Sequence, residues 1–168
     1  MGFVQFTGNE TMRVLPTFLF AVAMTAALIG ETAAKPFTYV NERFGTSATF
    51  PDEIFTEQQE PPANDDGLRW LSDDGASISI YGSYNVLDET PKTLEKSGRA
   101  HPRRTVAYSR TGSNWVVLSG VDNGLAFYER QLIGRSGIIH SLQITYPKEL
   151  KTKYDLLVGM IAYSFHGP

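Results

Sequence analysis

The chain contains no cysteine. That excludes disulfides, thiolate zinc sites and lipid anchoring through a cysteine after an apolar leader. Histidine is scarce: His101, His140 and His166 lie 39 and 26 residues apart, so no paired-histidine metal motif exists. Charge of one sign is also lacking. Fifteen basic residues face eighteen acidic ones, a net charge of −3 over 168 residues, which argues against a dedicated nucleic-acid binder. No apolar run reaches the roughly 20 residues of a membrane-spanning helix.

The longest apolar run, Val14 to Ile29, follows Arg13 and ends near Thr32-Ala33-Ala34. A positive charge, an apolar stretch and small residues at a cleavage position make a secretory leader. The expected cut falls between Ala34 and Lys35, so residues 1–34 form the signal peptide. Glu10 suits the basic start of a leader badly, and Met12-Arg13 makes a better beginning than Met1. The expected location is the periplasm or the exterior, with no stable membrane span after cleavage. Residues 35–168 then form one domain of 134 residues, large enough to bury a core without disulfides.

Within that domain, short alternating segments dominate. Strands are expected at Phe37–Asn41, Phe44–Phe50, Leu68–Leu71, Ala76–Ser83, Thr105–Arg110, Asn114–Val121, Leu125–Ile133 and Ile138–Tyr146. Asp73-Asp74-Gly75 and Asp122-Asn123-Gly124 are hairpin turns. The segment Glu57–Gly67, with two prolines and no periodicity, reads as a surface loop. Thr90-Pro91 caps a short helix anchored by Leu94 and ended by Gly98. After Pro147 the period changes: Leu150, Tyr154, Leu157, Val158, Ile161 and Phe165 form the stripe of an amphipathic helix.

An apolar helix stripe and an apolar sheet face must bury against each other. The strand Asn114–Val121 is apolar on both faces, Trp115 and Val117 on one and Val116 and Leu118 on the other. It therefore expects cover on both sides. The architecture is α+β: a central antiparallel meander with the long C-terminal helix on one face. The short helix and the acidic loop partly cover the other face.

The motifs Tyr39-Val40-Asn41-Glu42-Arg43-Phe44-Gly45, Phe50-Pro51, Leu118-Ser119-Gly120, Phe127-Tyr128-Glu129-Arg130 and Tyr146-Pro147-Lys148 resemble small exported alphaproteobacterial proteins of unassigned function. In element order the chain also resembles PsbP-like α/β/α sandwich domains. That resemblance implies a domain that binds or assembles protein complexes and carries over no catalytic set. No cofactor is expected.

The candidate sites are few. Arg99, His101, Arg103 and Arg104 gather in a stretch, Lys96 to Arg110, that holds five basic residues and no acid. Guanidinium groups bind carboxylates and phosphates bidentately, so an anionic envelope component or an acidic protein surface is the expected partner. Tyr81 and Tyr84, with Tyr128, could add an aromatic rim. Ser119, His140 and Asp122 could be written as a hydrolase triad, but G-x-S-x-G is absent. The paired aspartates precede glycines and read as turns rather than catalytic carboxylates. A non-catalytic binding module is the leading expectation; a small periplasmic hydrolase is the alternative.

Overall fold

A computed structural model describes Met1, Gly2 and residues 35–168. The expected leader lies outside the described residues, apart from its first two. The chain divides into units Met1–Thr32 and Ala33–Pro168. Among the described residues no helix is long and apolar enough to cross a membrane.

Among the described residues nine strands form: β1 (Pro36–Val40), β2 (Ser47–Pro51), β3 (Glu57–Gln58), β4 (Gly67–Leu71), β5 (Ser77–Tyr84), β6 (Arg104–Thr111), β7 (Trp115–Asp122), β8 (Leu125–Ile133) and β9 (Ile138–Tyr146). Helix α1 spans Pro91–Arg99 and α2 spans Lys151–Ser164, entered through a turn of 3-10 helix at Lys148–Leu150. Seven strands make one antiparallel sheet in the order β3-β4-β5-β9-β8-β7-β6, and β1 pairs with β2 in a separate hairpin.

Local chemistry accounts for the elements. Thr90 caps α1 with a reciprocal pair: its hydroxyl accepts from the Thr93 amide, and the Thr93 hydroxyl accepts from the Thr90 amide. The turn between β7 and β8 needs positive φ at both central residues, and Asn123 (48°) and Gly124 (88°) supply it. Register then fixes the faces. Ile78, Ile80, Leu142, Ile144 and Tyr146 point towards α2 and the β1–β2 hairpin. There they join Ala48, Phe50, Phe55, Trp70, Tyr154, Val158 and Ile161 in the main core. A smaller core of Val116, Leu118, Phe127 and Ile139 packs under Leu94 of α1 on the opposite face. The sandwich is thus a hairpin and a helix on one side, a sheet, and a short helix on the other.

Four expectations are corrected. The strand expected from Phe44 begins only at Ser47. Asn41 diverts the chain into a turn, its side-chain oxygen accepting from the Phe44 amide at 2.8 Å. The loop Glu57–Gly67 contains β3, which pairs with Trp70 and Leu71. The acidic loop does not cover the α1 side. It lies against the β1–β2 turn, where Asn41 donates to the Asp65 carbonyl at 2.9 Å and Arg43 donates to that of Asn64. Finally, Gly98 does not end α1 but sits inside it, because a β-carbon there would collide with Leu118.

Helix α2 buries Tyr154, Val158 and Ile161 of the expected stripe, with Phe165 just beyond its end; Ala162 is buried as well, while Leu150 and Leu157 are only half-buried. Its outer face is apolar too: Leu156, Met160 and Tyr163 are exposed, and no charged residue occurs between Leu156 and Phe165. Asp74, in the β4–β5 turn, anchors the helix start. It accepts from the Tyr154 hydroxyl and from Lys153.

Candidate functional site

The basic stretch singled out by the sequence is largely neutralised in space. Arg99 donates to Glu95 at 3.1 Å and also to the Ser109 hydroxyl. Arg104 lies over the Phe127 ring, 4.3 Å from its centroid, with its side chain only 7% exposed. It donates to Asp122 at 3.0 Å and to Glu129 at 2.6 Å. His101 stands 4.0 Å from Asp122, and Arg103 is exposed. Three carboxylates from outside the stretch or from its own helix thus balance these cations. Arg99, His101 and Arg104 share one end of the α1 side, but Arg104 is committed to the fold.

The tyrosines do not form one rim. Tyr81 pairs with Ser141 and faces the α1 side, where burial first, and the Glu129 charge second, push its pKa up. Tyr84 is three residues further along β5, so it faces the other way. It is exposed, its ring meeting Phe44 edge-on at 5.2 Å with Arg43 above it.

The residues of the imagined triad are also separated. Ser119 faces the α2 side of β7, while Asp122 faces the α1 side with Arg104. His140 is fully buried two strands away, its Nδ1 2.8 Å from the Thr46 hydroxyl, and burial lowers its pKa. Four residues along and two strands across put Ser119 and His140 on the order of 16 Å apart.

A different set converges. Uninterrupted alternation along β6 would place Tyr108 and Arg110 on the same face as Arg104. A β-bulge between Val106 and Tyr108 breaks the alternation. Bulges re-aim side chains in this way. Gly120 sits opposite and permits it, because a β-carbon there would strike the Thr105 carbonyl and the Ala107 amide.

Tyr108 and Arg110 now face the α2 side. Register lines Arg110, Val117 and Arg130 across β6, β7 and β8, with Tyr108, Ser119 and Tyr128 in the next row. Trp115 closes the other end, its ring 6.0 Å from the Arg110 guanidinium.

Helix α2 stops short of this surface. Trp115 and Val117, expected to be covered, remain half-buried. Tyr108, Arg110, Trp115, Val117, Tyr128 and Arg130 line a hollow of about 310 Å³. Among the described residues neither Arg110 nor Arg130 has a carboxylate within ion-pair distance. Arg130 donates to the Ala162 carbonyl at 2.7 Å, which holds it in place without neutralising it, and its Nε is buried without a partner. Arg130 is half-buried and Arg110 exposed, and two neighbouring guanidinium groups without counter-ions favour an incoming anion. Burial raises the Tyr128 pKa against the opposing pull of Arg130, which leaves its hydroxyl protonated at neutral pH.

Tyr128 also lines an adjoining cavity of about 570 Å³ between the sheet and α2. Val121, Ala126 and Val158 supply apolar wall; Tyr146, Lys148, Lys151 and Asp155 stand at its rim. Burial and the neighbouring Asp155 push the Tyr146 hydroxyl up to about 12. Lys151 is paired with Asp155 at 2.6 Å. A larger cavity, about 700 Å³, lies between the β1–β2 turn and the acidic loop. Its Asn41 and Arg43 already hydrogen-bond to the chain, so less binding capacity is left there.

No family model and no curated protein sequence matches the chain. Among solved structures it is similar to the solution structure of cyanobacterial PsbP (CyanoP) from Synechocystis sp. PCC 6803, with a TM-score of 0.57 and 12% sequence identity. The match covers 83% of this chain and 96% of the cyanobacterial one. At that identity the likeness is one of fold, and the fold is distantly PsbP-like.

Proposed function

We propose that residues 35–168 act as an exported, non-catalytic binding module whose contact with an anionic envelope component or protein partner runs through Arg110 and Arg130. The observation carrying this reading is the pair of uncompensated guanidinium groups set in one row beside aromatic side chains. Its support on the catalytic question is the separation of Ser119, Asp122 and His140. Export rests on the leader-like composition of residues 1–34.

Two measurements test it together. Fractionation should find the chain in the periplasm with Lys35 as its first residue; an intact precursor confined to the cytosol rejects export. Partner recovery from envelope extract should fall at least tenfold on Arg110→Glu and change less than twofold on Arg103→Glu. Equal recovery by the Arg110 variant rejects the surface.

A further inference from the structure

The two adjoining cavities differ in character, and that difference specifies a ligand. One end holds the Arg110 and Arg130 guanidinium groups, flanked by Trp115 and Tyr108. Beyond Tyr128 the walls become apolar, and the side chains bearing charge retreat to the rim. From the Val117 row to the Val121 row the floor advances four residues along β7, roughly 13 Å. The cavity beyond Tyr128, about 570 Å³, is within the usual range for small-molecule sites. At the far rim Lys151 is already neutralised by Asp155, so the arginine end offers the stronger anion site.

Resting on the binding-module reading, we infer that the trough between β6–β8 and α2 binds a single-chain anionic amphiphile. Its carboxylate or phosphate head sits between Arg110 and Arg130, and its hydrocarbon chain passes Tyr128 into the cavity beside Val121, Ala126 and Val158. A short anion would leave that cavity unfilled. An uncharged chain would leave the two arginines uncompensated. The amphiphile meets both demands.

Trp115 lines the head site and Trp70 lies in the main core, so tryptophan fluorescence of Trp70→Phe protein reports the head site directly. The probes are hexanoate, decanoate, dodecanoate, dodecyl phosphate, dodecanol and acetate, the amphiphilic anions below their micelle concentrations and dodecanol below its solubility limit. Affinity should rise up to about fourfold per added methylene, as expected when each is transferred from water to an apolar wall. Dodecanol should bind at least tenfold more weakly than dodecanoate. Arg110→Gln should weaken both dodecyl anions about tenfold; Arg110 is exposed, so its loss leaves the core intact. Val158→Trp, which fills the cavity, should flatten the dependence on chain length.

Dodecanoate binding that ignores Arg110→Gln overturns the inference. So does acetate binding as tight as dodecanoate; if that binding still needs Arg110, the broader binding-module reading stands. Phosphatidylglycerol vesicles separate the two sources of the head group. Co-sedimentation with vesicles in the absence of monomer binding points to a membrane surface and overturns the trough as the site.

Discussion

Replacing Arg104 with alanine is expected to cost about 3–5 kcal/mol of stability, the penalty for stripping a buried cation from its carboxylates. Arg104 spans Asp122 and Glu129, whose side chains are 16% and 12% exposed. Its removal strands two carboxylates beside the Phe127 ring and brings the melting temperature down by on the order of 10 °C or more. Arg103→Ala, one residue earlier and exposed, should stay within about 0.5 kcal/mol. Thermal denaturation of both variants separates the roles of adjacent arginines. Similar melting temperatures for the two would mean that Arg104 is not the buried tie between β6, β7 and β8.

Tyr154→Ala should be as damaging, at about 3–5 kcal/mol. Tyr154 is fully buried, its ring stacked on Tyr146 at 5.0 Å and tilted against Phe55 at 6.2 Å. Its hydroxyl donates to Asp74, so Tyr154→Phe should cost about 1–2 kcal/mol by leaving that carboxylate one donor short.

The same contact sets an acid limit. Burial opposes ionisation of Asp74, but hydrogen bonds from Lys153, Ser72 and Tyr154 outweigh it and hold the carboxyl well below the usual range. A carboxylate depressed in the folded state contributes stability above its unfolded pKa of about 4 and loses it as pH falls further. Wild-type protein should therefore lose more stability between pH 5 and pH 2 than Asp74→Asn. Parallel acid-unfolding curves would remove Asp74 from the account of how α2 is anchored.

What the sequence made legible was chemistry that acts locally. Asn123-Gly124 can hardly be anything but a tight turn, Thr90-Pro91 caps a helix on its own terms, and Tyr154, Val158 and Ile161 declare a buried stripe by spacing alone. The candidate site depended on events that spacing does not record. One extra residue at Ala107 carries Tyr108 and Arg110 to the opposite face, and only the demand for glycine at position 120 hints at it. The apparent excess of positive charge at Arg99 and Arg104 disappears because Glu95, Asp122 and Glu129 come alongside them.

Trp115 and Val117 did carry a signal. A strand apolar on both faces demanded cover, and the place where α2 withholds it is the trough. The departure from packing logic and the uncompensated arginines fall on the same few residues. Such local inconsistency is characteristic of functional surfaces.

The most direct test is a map of backbone and indole amide shifts in an NMR titration with dodecyl phosphate. Shifts should concentrate at Tyr108, Arg110, the Trp115 indole, Val117 and Tyr128 and then extend to Val121 and Val158, while the Trp70 indole stays still. Shifts gathered instead around Arg99, His101 and Arg103, or an unchanged spectrum, would contradict the assignment of recognition to the β6–β8 face.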